Sequence, residues 1–183
     1  MLRFVTPYSF DKKLFESWDY EMKLTEDPED WVCFLDGDIM FLLSDFGHQI
    51  QQYINIYPNT GVFTCYASRA HRKRLVPKGV DMRNPSMLYH HTWAEKLRAK
   101  LQGKIKVIHG DTLGHLLCIK KATWMKIRDK VAVELTDKKI LGVDVRITRA
   151  VSELGMPILL MRGVYVMHFF RMKYGVNQRD ILL

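Results

Sequence analysis

Apolar residues in this chain fall into short runs separated by polar, proline-bearing or glycine-bearing breaks. The spacing inside each run predicts an element. Leu2 to Thr6 is a run stopped by Pro7, which reads as a strand. From Asp11 to Thr25, Leu14, Phe15, Trp18 and Met22 recur at the spacings of an amphipathic helix. After the break at Asp27-Pro28, Trp31 to Leu35 is continuously apolar, as in a strand covered on both faces. Ser44 reads as the N-cap of a helix running to Tyr57 and closed by Pro58 and Gly61, and Val62 to Ala67 as another strand. Arg69 to Trp93 shows no period and holds Pro77, Gly79 and Pro85, a long irregular stretch of the kind that carries function. A basic helix follows over Ala94 to Leu101. Strands are expected at Ile105 to His109 and Leu116 to Ile119, and a short helix at Ala122 to Arg128. A further helix is expected from Val143 to Leu154, ended by Gly155 and Pro157, before closing strands at Ile158 to Met161 and Val164 to Met167. Strand and helix alternate through the first half. That predicts an α/β fold with a mainly parallel central sheet flanked by helices.

Composition narrows the class. A chain of 183 residues predicts a single domain over 1–183, and 48% hydrophobic with 26% charged residues excludes disorder, collagen and coiled coil as its main description. The net charge of +8 suits anionic partners: nucleic acid, phosphorylated ligands or an anionic membrane face. Cys33, Cys65 and Cys118 form no CxxC pair and leave an odd thiol, which argues against a disulfide scaffold or a four-cysteine zinc site. Cys33 and Cys65 sit in apolar runs and read as buried thiols in a reducing compartment. No signal core is visible near the N-terminus. The apolar run from Met156 to Phe170 is broken by Arg162 and Gly163, short of the roughly 20 residues that a membrane helix needs. The expectation is a cytoplasmic protein.

The strongest chemical signal is Asp36-Gly37-Asp38, two carboxylates just past a buried strand. In open α/β sheets, ligands bind at the carboxyl ends of strands. Strand alternation would put both acids on one side, and Gly37 would let a ligand approach closely. Such a pair suits an oxygen-ligated divalent cation, and through it a diphosphate. As a bare tripeptide it also reads as a turn, since aspartate and glycine dominate turns.

Trp31 to Asp38 resembles the DxD segment of GT-A-type glycosyltransferases, especially the family 2 group. Four further segments resemble the family's motifs in the same order. Val5-Thr6-Pro7-Tyr8 is similar to the first strand and its nucleotide-contacting loop. Gly110 to Lys121, with Gly114 before an apolar strand, is similar to the segment beside donor and acceptor. Gly142-Val143-Asp144, followed by Arg149 and Gly155, is similar to the helix-opening motif that supplies the catalytic base. Val166-Met167-His168 is similar to the late histidine that completes the metal site. The resemblance implies a metal-dependent, inverting glycosyltransferase that moves a sugar from a nucleotide diphosphate sugar, UDP-sugar foremost, to a glycan or lipid-linked acceptor. It implies Asp36, Asp38 and His168 as ligands of Mn²⁺ or Mg²⁺. It implies Thr6, Pro7, Tyr8, Asp36 and Gly114 as donor contacts, and Asp144 as the base. Two departures stand out. Only 35 residues precede Asp36, fewer than the family's nucleotide-binding half, and Val143 stands where an acid is frequent.

Read without the resemblance, Asp144 is a first-turn acid facing a helix dipole, and His168 a core histidine. The basic run Arg69 to Arg74 reads as a solvated loop, or as a flap contacting an anionic acceptor, nucleic acid or the inner face of a membrane. His90 and His91 are adjacent and would point apart, while His109, Asp111 and His115 read as loop polars. Two other functions compete. One is a haloacid-dehalogenase-like phosphatase, which also places Asp-x-Asp after a strand, although Ile39-Met40 follows here instead of a hydroxyl residue. The other is a basic nucleic-acid-binding module, for which no motif is present. An open sheet edge would favour a homodimer.

Overall fold

The computed structural model describes residues 1–8, 14–112, 114–133, 135–136, 139–140 and 142–169. It is an α/β fold. Strands β1 (Leu2–Val5), β2 (Trp31–Leu35), β3 (Ile39–Phe41), β4 (Val62–Ala67), β5 (Ile105–Val107), β6 (Leu116–Lys120) and β9 (Ile158–His168) form a seven-stranded sheet. Its order is β1-β2-β6-β4-β9-β3, with β5 beside β9. A two-stranded ribbon pairs β7 (Leu135–Thr136) with β8 (Lys139–Ile140). The helices are α1 (Leu14–Lys23), α2 (Phe46–Ile56), α3 (Met87–Leu101), α4 (Lys121–Ala132) and α5 (Val143–Glu153).

The sheet is mixed, which corrects the expectation of a mainly parallel one. β1 runs parallel to β2, but β2 is antiparallel to β6, β6 to β4, and β3 to β9. The reason lies in the connections. A parallel pair needs a crossover of about a dozen residues or more, usually a helix. The link from β1 to β2 carries α1 and meets that need.

The chain divides into two compact units. The first comprises Met1–Gly37, Asn59–Thr64 and Val107–Leu159. Its core is the fully buried Val32, Cys33 and Phe34 of β2 against Leu116 to Ile119 of β6, with Ile127 of α4 and Ile147 of α5. Trp18 of α1 stacks on Phe34 at 3.9 Å between ring centroids. Asp19, buried on the same helix, accepts hydrogen bonds from Trp124 Nε1 (3.2 Å) and from Arg128 Nε and Nη2 (2.7 and 3.0 Å). Burial alone would raise the Asp19 pKa. The bonds from Arg128, Lys23 and Trp124 outweigh it and hold the carboxyl far below the usual range. Cys33 and Cys118 are register partners across β2 and β6, and all three cysteines are free and buried.

The second unit comprises Asp38–Pro58, Cys65–Lys106 and Leu160–Leu183. Tyr53 of α2 is fully buried, donates its hydroxyl proton to Leu101 O (3.0 Å) and accepts the Gly163 N–H (2.8 Å). Phe41 and Phe46 stack at 3.9 Å. β9 is one continuous strand of 11 residues where two were expected, because Gly163 fits against Gln102 and lets the ladder run on. The irregular stretch is shorter than expected. α3 starts at Met87, capped by Ser86, whose hydroxyl accepts the Tyr89 N–H. Pro85 keeps the backbone of Asn84 out of the helical region, so the helix does not extend back through that residue. Among the described residues no helix is long and apolar enough to cross a membrane.

Candidate functional site

β2 delivers the two acids. Its first four residues are buried, Leu35 is half-buried, and Asp36, Gly37 and Asp38 are exposed where the strand ends. The Asp36 N–H continues the pairing to His115 O (3.2 Å), so the backbone is held up to the first acid. β3 and β9 then position Asp38. The register Ile39↔His168 puts the histidine beside the start of β3, and Phe169 N–H donates to Asp38 O (2.8 Å). His168 Nε2 lies 3.1 Å from Asp38 Oδ1.

His168 is oriented by its surroundings. It is 6% exposed, and its Nδ1 lies 2.9 Å from the carbonyl oxygen of Arg69. A carbonyl only accepts, so the proton sits on Nδ1. Its backbone is clasped by Ser68, whose hydroxyl accepts the His168 N–H (3.0 Å). Nε2 faces Asp38. A ligating histidine donates its other ring N–H to a carbonyl or carboxylate, and the Nδ1 bond to Arg69 O would meet that need if Nε2 held a cation. Within the second unit, the Asp38 carboxylate beside the His168 imidazole is a donor pair that suits a divalent cation.

Within the first unit a cavity of about 220 Å³ opens beside Asp36. Pro7, Leu14, Trp18, Leu35, Asp36, Gly37, Gly114, Gly142, Val143 and Asp144 line it. Its volume falls below the ~300–1,000 Å³ of sites that take a whole drug-sized ligand.

Asp144 is half-buried in the first turn of α5. Burial raises its pKa above the usual carboxyl value, with a smaller push from Asp111, while backbone hydrogen bonds from Val145, Gly114 and Asp144 itself oppose the rise. Two glycines shape this niche. A Cβ on Gly142 would stand 2.5 Å from Asp144 Oδ1, and one on Gly114 would stand 3.2 Å from Asp144 Cβ. Nearby, Arg149 donates to Asp111 through Nε and Nη2 at 3.0 and 3.1 Å.

The structure thus brings Pro7, Asp36, Gly114 and Asp144 to one cavity, and Asp38 Oδ1 to 3.1 Å from His168 Nε2. Thr6 lies beside Gly37, with its Cγ2 3.7 Å from where a Cβ would stand. Tyr8 is 77% exposed and is not among the lining residues. His90 is a bonded core histidine, with Nδ1 2.7 Å from Tyr165 Oη and Nε2 2.8 Å from Asn84 O. His91 faces Glu95 at 3.5 Å instead. Sequence reasoning missed Trp18 and Leu14 as lining residues, because an amphipathic period marks an apolar face without saying that it borders a cavity. No protein-family model matches the chain, and no curated protein matches it.

Proposed function

We propose that the chain is a metal-dependent, inverting glycosyltransferase of GT-A type, using a nucleotide diphosphate sugar and a glycan or lipid-linked acceptor. The observation that carries this reading is His168. Its proton is fixed on Nδ1 by Arg69 O, and its Nε2 lies 3.1 Å from the second acid of Asp36-Gly37-Asp38. Asp36 itself borders the cavity that holds Asp144.

In this reading Asp36, Asp38 and His168 hold Mn²⁺ or Mg²⁺, which as a Lewis acid would supply stabilisation of the diphosphate leaving group. Pro7, Gly37 and Gly114 shape the donor's seat, and Thr6 and Tyr8 flank it. Asp144 accepts the proton of the acceptor hydroxyl as that oxygen attacks the anomeric carbon and the carbon–phosphate-oxygen bond breaks. Burial raises the Asp144 pKa toward the working pH, which suits a general base. A single base behind an in-line attack inverts configuration.

The test is a thermal-shift titration of wild type and Asp38→Ala with UDP and GDP, with and without Mn²⁺. A ligand that binds only the folded state raises apparent stability by mass action. Stabilisation that needs nucleotide and Mn²⁺ together and vanishes in Asp38→Ala is expected. Stabilisation by neither nucleotide, or an equal shift in the variant, would overturn the reading. Hydrolysis of a generic aryl phosphate would favour the phosphatase instead.

A further inference from the structure

We propose that residues 72–100 of the second unit form a face that docks onto an anionic lipid surface. The charge of the chain is concentrated there. From Arg69 to Lys100 there are nine basic and two acidic side chains, a net +7 where the whole chain has +8. Arg69 is turned inward and buried, and Arg98 is engaged by Asp45. Arg72, Lys73, Lys78, Arg83, Lys96 and Lys100 are exposed.

Contacts hold the loop that carries Lys78 and Arg83 against the helix that carries Lys96 and Lys100. The loop before α3 is folded onto its first turns. Asp81 N–H donates to Tyr89 Oη (2.8 Å), Asn84 O meets His90 Nε2 (2.8 Å), and Gly79 lies against the Trp93 ring. Lys96 Nζ sits 4.4 Å from the centroid of that ring. Along the outer side of α3, Leu88, Thr92, Lys96 and Lys100 are all exposed and recur every four residues, so they form one stripe. At its N-terminal end Leu88 is 75% exposed and Met87 54% exposed.

Cations beside exposed aliphatic side chains fit an interface where basic groups meet lipid phosphates and apolar side chains enter the acyl boundary. A nucleic-acid face would be expected to offer aromatic rings for base stacking. Here Trp93 is half-buried beneath Lys96, and the two most exposed apolar side chains of the face are aliphatic. Lipid is therefore the occupant favoured over nucleic acid.

The experiment is co-sedimentation of the full chain with vesicles of phosphatidylcholine, and of phosphatidylcholine mixed equally with phosphatidylglycerol. No nucleotide or metal is added, so a failure here leaves the transferase reading standing. Binding to the mixed vesicles alone, released by salt, is expected. Each basic residue near an anionic surface is worth about fivefold in affinity, so the triple variant Arg72→Ser, Lys78→Ser, Arg83→Ser should weaken binding about a hundredfold. Met87→Ser with Leu88→Ser should weaken it at unchanged charge. All five side chains are exposed, and unchanged melting temperatures would confirm that the variants fold. Equal binding to both vesicles, or full binding by the triple variant, would overturn the proposal. So would a single-stranded oligonucleotide that binds both wild type and the Met87/Leu88 variant while the mixed vesicles bind neither.

Discussion

Replacing Asp144 by asparagine should make the protein more stable at neutral pH and no more stable in acid. Two features of the structure favour the charged carboxylate. It lies in the first turn of α5, where the helix dipole favours a negative charge by about 0.3–1 kcal/mol, and backbone N–H groups of Gly114 and Val145 donate to it. Burial opposes both and prevails, so the folded-state pKa is raised. The sign follows directly. A raised folded value means that the neutral acid is favoured by folding. That contribution is full below the unfolded carboxyl pKa of about 3.9 and is lost as pH rises through the folded value. At neutral pH the ionised group therefore costs stability. Asparagine keeps the size and a carbonyl acceptor without the charge. Relief at functional sites of this kind is typically about 0.5–2 kcal/mol. Taking about 1 kcal/mol, a chain of this length should gain about 2–4 °C in melting temperature. Thermal and urea melts across pH would measure it. A variant less stable than wild type near neutrality, or a gain equally large in acid, would refute the argument that burial dominates at this carboxylate.

Three further outcomes are expected. Gly142→Ala should rotate the Asp144 carboxylate away, because the new Cβ would stand 2.5 Å from Oδ1. Transfer to the acceptor, read as inverted product, should then fall about a hundredfold while the melt changes little, as for a group misplaced by about 1 Å. Asp19→Ala should cost about 1–3 kcal/mol in urea melts, chiefly by leaving the buried Trp124 N–H without its acceptor, since the released Lys23 and Arg128 reach solvent. The Asp19 contribution is present above the unfolded pKa and lost as pH falls toward the lowered folded value, so the two proteins should converge in strong acid. Tyr53→Phe should cost about 2 kcal/mol by leaving the buried Gly163 N–H unsatisfied, while Leu101 O keeps its bond from the Lys104 N–H. The Tyr53 pKa is pushed up to about 12 by burial, and the ultraviolet phenolate titration of wild type should show a late step there that the variant lacks, whereas Tyr165, also raised by burial, stays delayed in both.

Much of this architecture was legible in the sequence, and the failures have physical causes. The continuous apolar run Trp31 to Leu35 could only be a strand covered on both faces, and Val143 opens α5 as its period requires. Strand direction was not legible, because alternation of strand and helix does not say which connections are long enough to cross over. β3 was missed because Ile39 to Phe41 is too short to show a period, and its existence depends on pairing with β9. The start of α3 was placed too late, since its first residues, Met87 and Leu88, are exposed and hide the amphipathic pattern. Of the candidate residues, Asp36 and Asp144, expected near each other from motif order, line one cavity, and that much was legible. The hold of Arg69 O on His168 was not, because a backbone carbonyl leaves no mark in the residue types.

The cysteines of the sheet make it a clock. Cys118 sits between Cys33 and Phe63 in the register of three neighbouring strands, and no thiol of the three reaches solvent. Burial also pushes the Cys65 thiol up, so little of the reactive thiolate forms while the fold is closed. A disulfide reagent in solution can then react only during transient openings that expose β2, β4 or β6. The rate at which each thiol is labelled becomes a local opening frequency, strand by strand, obtained without denaturant.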